Sequence, residues 1–186
     1  SGGRVYALGA TGVLSALDAA DGAVVWSRNV VSDTGAEVPI WGFAGSPLVI
    51  GETVVVAASG TLVAYDRASG DPRWRGRAGG PSYSSPHLLT LEGVEQILVL
   101  EEAGVASVSP TDGALLWEHS WPGFRILQPA STADGDVLIC SERIGTRRLA
   151  VEAGPGGWTV EERWTSIRLW RRNGSQKQFV NKYSGV

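Results

Sequence analysis

An all-β chain of four-stranded antiparallel blades, wound as a β-propeller arc of about four blades, is what three features of this sequence predict. A Gly-x₃-Trp hairpin signature, weaker in its last copy, recurs with its tryptophans (Trp26, Trp74, Trp117, Trp164) spaced by 48, 43 and 47 residues, the period of one blade. A short β-branched run stands upstream of each of the last three copies. The 25 glycines are spread among short apolar runs rather than gathered in a low-complexity tract, as many tight turns require.

The first copy runs from Gly12-Val13-Leu14-Ser15-Ala16-Leu17-Asp18 through Asp21-Gly22 to Trp26. It belongs to a partial blade, 4–28, which holds the last three strands and lacks the innermost. Residues 29–45 form a long connection of polar and small residues, a candidate recognition loop. The second blade, 46–75, opens at Ser46-Pro47, where a strand start tolerates the missing N–H of proline. It continues through Thr53–Ala57 and Gly60–Asp66 to Ser69-Gly70 and Trp74. The third, 85–119, repeats the order with Ser85-Pro86, Gln96–Leu100, Gly104–Ser109, Asp112-Gly113 and Trp117. The fourth, 129–164, is a weaker copy: Pro129, Asp136–Cys140, Gly145–Glu152, Gly156-Gly157 and Trp164.

In each unit the Asp side chain can bond backbone two residues on, and the glycine supplies a positive φ. The tryptophan is large and flat enough to wedge between blades, and its buried N–H then needs an acceptor. An immunoglobulin-like sandwich also has short strands about every 8–12 residues. It does not explain one signature returning in phase with one upstream strand.

Composition narrows the function classes. Hydrophobic residues make up 43% and charged residues 19%, which suits a packed interior and argues against disorder. A net charge of −3 argues against a nucleic-acid binder. No apolar run reaches the ~18 residues of a membrane span. The single cysteine, Cys140, lies in an apolar run, is expected as a core thiol, and excludes an intramolecular disulfide. The chain starts at Ser1 without methionine or signal peptide, so processing or a fragment boundary is expected ahead of it.

Ala16-Leu17-Asp18-x₂-Asp21-Gly22-x₃-Trp26 and Tyr65-Asp66-x₂-Ser69-Gly70-x₃-Trp74 resemble the PQQ-like repeat of quinoprotein dehydrogenases and their non-catalytic, BamB-like relatives. The resemblance covers about residues 4 to 164. Catalytic members hold pyrroloquinoline quinone over calcium, with carboxylate and amide ligands, a catalytic aspartate and often a disulfide of adjacent cysteines. One cysteine makes no such disulfide, and no Asp, Asn and Glu set in this chain matches that site. No catalytic, cofactor-binding or metal position carries over, and no cofactor is expected. The repeat positions do carry over: Asp18, Gly22, Trp26, Asp66, Gly70, Trp74, Gly113 and Trp117.

Whole propellers of this kind have about six to eight blades, so an arc of four leaves strand edges and blade faces uncovered. A fragment of a longer protein is the first expectation. A short four-blade form and a homodimer closing an eight-blade ring are the others. Residues 165–186 carry Arg168, Arg171, Arg172, Lys177 and Lys182 and no acidic residue. They read as a basic, poorly ordered tail, or as an arm for an acidic partner.

No nucleophile elbow, phosphate loop or calcium loop appears, and His87 and His119 lack metal-ligand spacing. Glu101-Glu102 and Glu161-Glu162 point to opposite faces of a strand, so neither makes an acid/base pair by itself. The remaining candidates lie in connections at one mouth of the arc. Trp41, Phe43, Tyr83, Phe124 and Arg125 precede first strands. Glu102, Glu142 and Arg143 join strands two and three. Aromatic residues beside charges suit a polar ligand or a peptide. The expected function is a non-catalytic scaffold binding partner proteins or peptides. The alternatives are part of a PQQ-dependent alcohol or sugar dehydrogenase and a sensor domain of a larger protein such as a kinase. The resemblance implies a periplasmic or extracellular location.

Overall fold

A computed structural model describes residues 2–123, 126–141, 144–173 and 176–185, and of residues 167–185 the backbone only. The first blade is β1 (Arg4–Leu8), β2 (Val13–Asp18) and β3 (Val24–Asn29), followed by a short helix α1 (Val30–Thr34). The second is β4 (Leu48–Ile50), β5 (Thr53–Ala58), β6 (Thr61–Asp66) and β7 (Pro72–Arg75). The third is β8 (His87–Leu91), β9 (Val94–Glu101), β10 (Gly104–Val108) and β11 (Leu115–Ser120). The fourth is β12 (Ala130–Ser131), β13 (Val137–Ser141), β14 (Gly145–Gly154), β15 (Gly157–Asn173) and β16 (Gln176–Gly185). Each is an antiparallel sheet with strands in chain order, so the all-β partial propeller is the observed architecture.

Side-chain alternation explains why the blades stack. In β5, Val54 and Val56 pack toward the first blade with Leu14, Ala16 and Trp26. Val55 and Ala57 pack the other way, against Ile97, Val99, Ala106 and Val108. Leu98, Leu100 and Val105 then meet Val137, Ile139 and Leu149 of the fourth blade. The middle strands have no solvent face, hence their nearly unbroken apolar runs. Each buried Val or Leu contributes about 1.5–3 kcal/mol relative to exposure.

The tryptophans lock neighbours together. Trp26 of the first blade lies over Gly70 in the β6–β7 turn, where a Cβ would sit 2.8 Å from the ring. Its Nε1 donates to the Arg67 carbonyl at 3.1 Å. Trp74 lies over Gly113 of the third blade, a Cβ there falling at 2.5 Å, and its Nε1 donates to the Pro110 carbonyl at 3.0 Å. Both glycines have φ near +75°, at 79° and 72°, a conformation costly for other residues. Trp117 departs from this scheme. Its Nε1 donates at 2.7 Å to Gln96 Oε1 within its own blade. In the fourth blade β14 runs on to Gly154, so no turn stands at the equivalent place.

Three features differ from the sequence reading. The 29–45 connection begins with α1, capped by Asn29, whose Oδ1 accepts from Ser32 N at 3.1 Å. Val30 and Thr34 are buried, and Asp33 accepts from the Tyr65 hydroxyl at 2.9 Å. The boundary drawn at residue 164 falls inside β15. Where a poorly ordered tail was expected, the backbone pairs from Trp164↔Gly185 to Asn173↔Gln176; the period cannot reveal this, because the segment carries no blade signature. Cys140 is only partly buried, because its strand position turns it away from the third blade. Among the described residues no helix is long and apolar enough to cross a membrane.

Candidate partner-binding face

At one mouth of the arc, each connection to the next blade crosses the β-hairpin of its own blade. Phe43 N donates to the Ala10 carbonyl at 2.9 Å, Gly76 N to Leu62 O at 2.8 Å, and Trp121 N to Ala103 O at 2.9 Å. These crossings hold the connections against the sheets and leave a groove between them. The groove encloses about 430 Å³ and is lined by Glu37, Val38, Pro39, Ile40, Ser59, Pro81, Tyr83, Glu102 and Gly123. It therefore draws on the connections and hairpins of the first three blades.

Its walls are mostly apolar, and among the described residues the charged ones that line it are Glu37 and Glu102. Ile40 on its wall is 88% exposed, and Trp41 beside it is 69% exposed. Trp41 leans on Tyr83 with ring centroids 5.3 Å apart at 41°, and Trp41 N donates to the Tyr83 hydroxyl at 3.4 Å. Exposed aromatic and aliphatic groups with a small acidic component suit an apolar side chain next to a cation.

Of the eight residues proposed from sequence for this face, Tyr83 and Glu102 line the groove and Trp41 stands at its edge. Phe43 does not reach it: the ring is buried between the first two blades. Phe124, Arg125, Glu142 and Arg143 lie outside the described residues. Sequence reasoning missed Val38 and Ile40. The β-branched pair flanking Pro39, directly ahead of Trp41, is the signal that could have found them.

Across the 101–104 turn from Glu102 lies a polar cluster. Glu101 is 2% exposed and accepts from Arg77 Nη2 at 3.1 Å. Arg77 also pairs with Glu118 at 3.0 Å. Burial outweighs the Arg77 charge and pushes the Glu101 carboxyl up to about 7. Nearby, Arg147 bonds His119 Nε2 at 3.1 Å and pairs with Glu162 at 3.1 Å. Burial, with Arg147 adding to it, lowers the His119 pKa. Among the described residues no cluster of three or more His, Cys, Asp or Glu could hold a metal ion.

Comparison with known proteins adds the following. The profile of the family described as outer membrane protein assembly factor BamB matches residues 1–173. No curated protein sequence matches the chain. Among solved structures, BamB from Moraxella catarrhalis superposes with a TM-score of 0.59 at 16% identity, over 100% of this chain and 62% of that one. Quinohemoprotein alcohol dehydrogenase from Comamonas testosteroni superposes with a TM-score of 0.53 at 16% identity, over 98% of this chain and 34% of that one. The chain thus spans less than two thirds of either relative, and at this identity the likenesses show the fold alone.

Proposed function

The chain belongs to the family of outer membrane protein assembly factor BamB, and from that premise we propose that it is a non-catalytic propeller scaffold that docks a partner protein or peptide. The observation that carries this reading is the apolar groove with Glu37, Ile40 and Glu102 on its walls and Trp41 beside it. The segment it fits is extended, with an aliphatic or aromatic side chain beside a lysine or arginine. The family's name points to a protein partner, and by the same resemblance to the periplasm as its location. Two copies closing an eight-blade ring remain a separate proposal about assembly, which the groove neither needs nor favours.

Selection from a displayed peptide library on the immobilised chain tests the reading. Enriched peptides are expected to pair an apolar residue with a basic one. Their binding is expected to fall at least about tenfold in Ile40→Asp and in Glu102→Lys, consistent with loss of one buried anchor or one charge pair. Equal binding to both variants rejects the groove. Dye-linked alcohol oxidation after adding pyrroloquinoline quinone and calcium overturns the non-catalytic assignment.

A further inference from the structure

Across the 101–104 turn from the groove, the Glu101 cluster borders a cavity of about 160 Å³, with Arg77, Glu118 and Ser120 also on its walls. Among the described residues none lines both this cavity and the groove. Strand register builds it. Gly104 pairs with Glu101 on one side and with Ser120 on the other, so the three stand in one row across β9, β10 and β11. Gly104 brings no side chain between its two neighbours. Glu118, two residues before Ser120, lies on the same face. Arg77 reaches in from the connection that leaves the second blade.

Arg77 holds this corner with a single nitrogen. Its Nη2 donates to Glu101 Oε1 at 3.1 Å and pairs with Glu118 Oε2 at 3.0 Å. Two carboxylates thus share one guanidinium. His119, also on the wall, has its pKa lowered by burial and stays neutral at pH 7. With both carboxylates ionised, the described walls carry one negative charge in excess. Glu101 bears the cost: it is 2% exposed, and its Oε2 is buried without a hydrogen-bond partner among the described residues. Gly79 crosses the flat of the carboxyl group, where a Cβ would run into Oε2, Cδ and Oε1 alike. That crossing keeps water off the group and leaves its in-plane lone pairs unsatisfied. A buried carboxylate oxygen in this state is destabilising. A donor that also carries positive charge relieves both the missing bond and the excess charge.

We propose that this cavity is a binding site for a primary ammonium group, which donates to the Glu101 and Glu118 carboxylates together. An ammonium is compact and has three donors, and the two carboxylates and the Ser120 hydroxyl supply its acceptors. A divalent ion fits worse: Arg77 stands against it, and calcium takes about six to eight oxygen ligands. Water alone satisfies the orphaned oxygen but leaves the excess charge. The ammonium belongs either to a free aliphatic amine or to a lysine side chain of a docked segment. The site stands on its own cavity and does not rest on the groove or on any partner bound there.

n-Butylammonium chloride, titrated into the intact chain at constant chloride and followed by NMR, tests it. Saturable shifts are expected at the Glu101, Gly104 and Ser120 amides, with a Kd of about 1 mM for so small a ligand. Butyltrimethylammonium, with the same charge and no N–H, is expected to bind at least about tenfold more weakly. Glu101→Gln keeps the shape and removes the charge, and should abolish saturation. Glu118→Gln, at a side chain 60% exposed, serves should Glu101→Gln fail to fold, and is expected to weaken binding several-fold. Nα-acetyl-lysine methylamide bound at least as tightly as n-butylammonium assigns the site to a lysine side chain. Binding of n-butylammonium without the lysine derivative assigns it to a free amine. Absence of saturable shifts at these amides, equal binding of the two butyl cations, or binding unchanged in both variants rejects the site.

Discussion

The two ends of the arc come from the same repeat and are finished differently. At the first blade the outward face keeps the apolar row and the turn glycine of an inner blade, and both are open to solvent. At the fourth, the position held by Ala16, Ala64 and Ser107 in the other blades is taken by Arg148, paired with two aspartates. A further strand, β16, runs along β15. Charged outer faces and extra strands are how repeat proteins keep a terminal unit from associating. One end thus keeps an exposed apolar row and turn glycine, and the other presents an ion-paired arginine.

The largest expected effect separates a turn glycine under an indole from an open one. Gly113→Ala meets both an unfavourable φ and a Trp74 ring 2.5 Å from its Cβ. A loss of about 3 kcal/mol or more in chemical denaturation is expected from strain plus overpacking. Gly22→Ala has the same backbone and no clash, so only the backbone cost of about 1–2 kcal/mol is expected. Equal losses would break the comparison.

The next effect is one of pH, and it belongs to the interior. Glu101 binds a proton more readily in the fold than in the unfolded chain, because its carboxyl moves from about 4.5 to about 7. Its contribution is therefore full below about pH 4.5 and is lost as pH rises through about 7. The swing is on the order of 3 kcal/mol. Glu101→Gln should flatten the wild-type slope between those limits, as measured by denaturation at a series of pH values. At the fourth blade the sense is opposite. The Thr132 hydroxyl chiefly, with Arg148 adding to it, holds Asp134 below the usual carboxylate range, so its contribution is lost as pH falls.

Val54 and Val5 occupy one register position in successive blades. Val54→Ala should cost about 2 kcal/mol, as an inner cavity does. Val5→Ala should stay within about 0.5 kcal/mol, as an exposed site does. The smallest change in stability is expected for Arg148→Ala, since its pairs are partly exposed. Its readout is association: removing the charge should raise the dimer fraction in sedimentation at high protein concentration.

The blades were legible in the sequence because turn chemistry and strand alternation are local. Asp18 and Asp66 accept from backbone N–H groups two residues on, and Gly22 and Gly70 follow at the place of positive φ. That the indole of one blade rests on the glycine of the next was not legible, because it depends on how blades stack, about forty residues apart in sequence. The groove was half legible. Tyr83 and Glu102 could be placed by the order of strands, but Phe43, two residues beyond Trp41, turned inward against the first two blades. Nothing in a polar and small composition announces which aromatic of a connection will be buried. The β15–β16 pairing was invisible for the opposite reason: it follows no rule of the repeat.

The indole seats also have a direction. Trp26 reaches forward to the second blade and Trp74 forward to the third; neither reaches back. Blades joined this way behave like tongue-and-groove boards, each with one projecting edge and one receiving edge. A unit duplicated or exchanged in its original orientation meets a matching neighbour on both sides. A reversed unit would bring tongue to tongue, so the direction of the seats sets the order in which such a chain can grow.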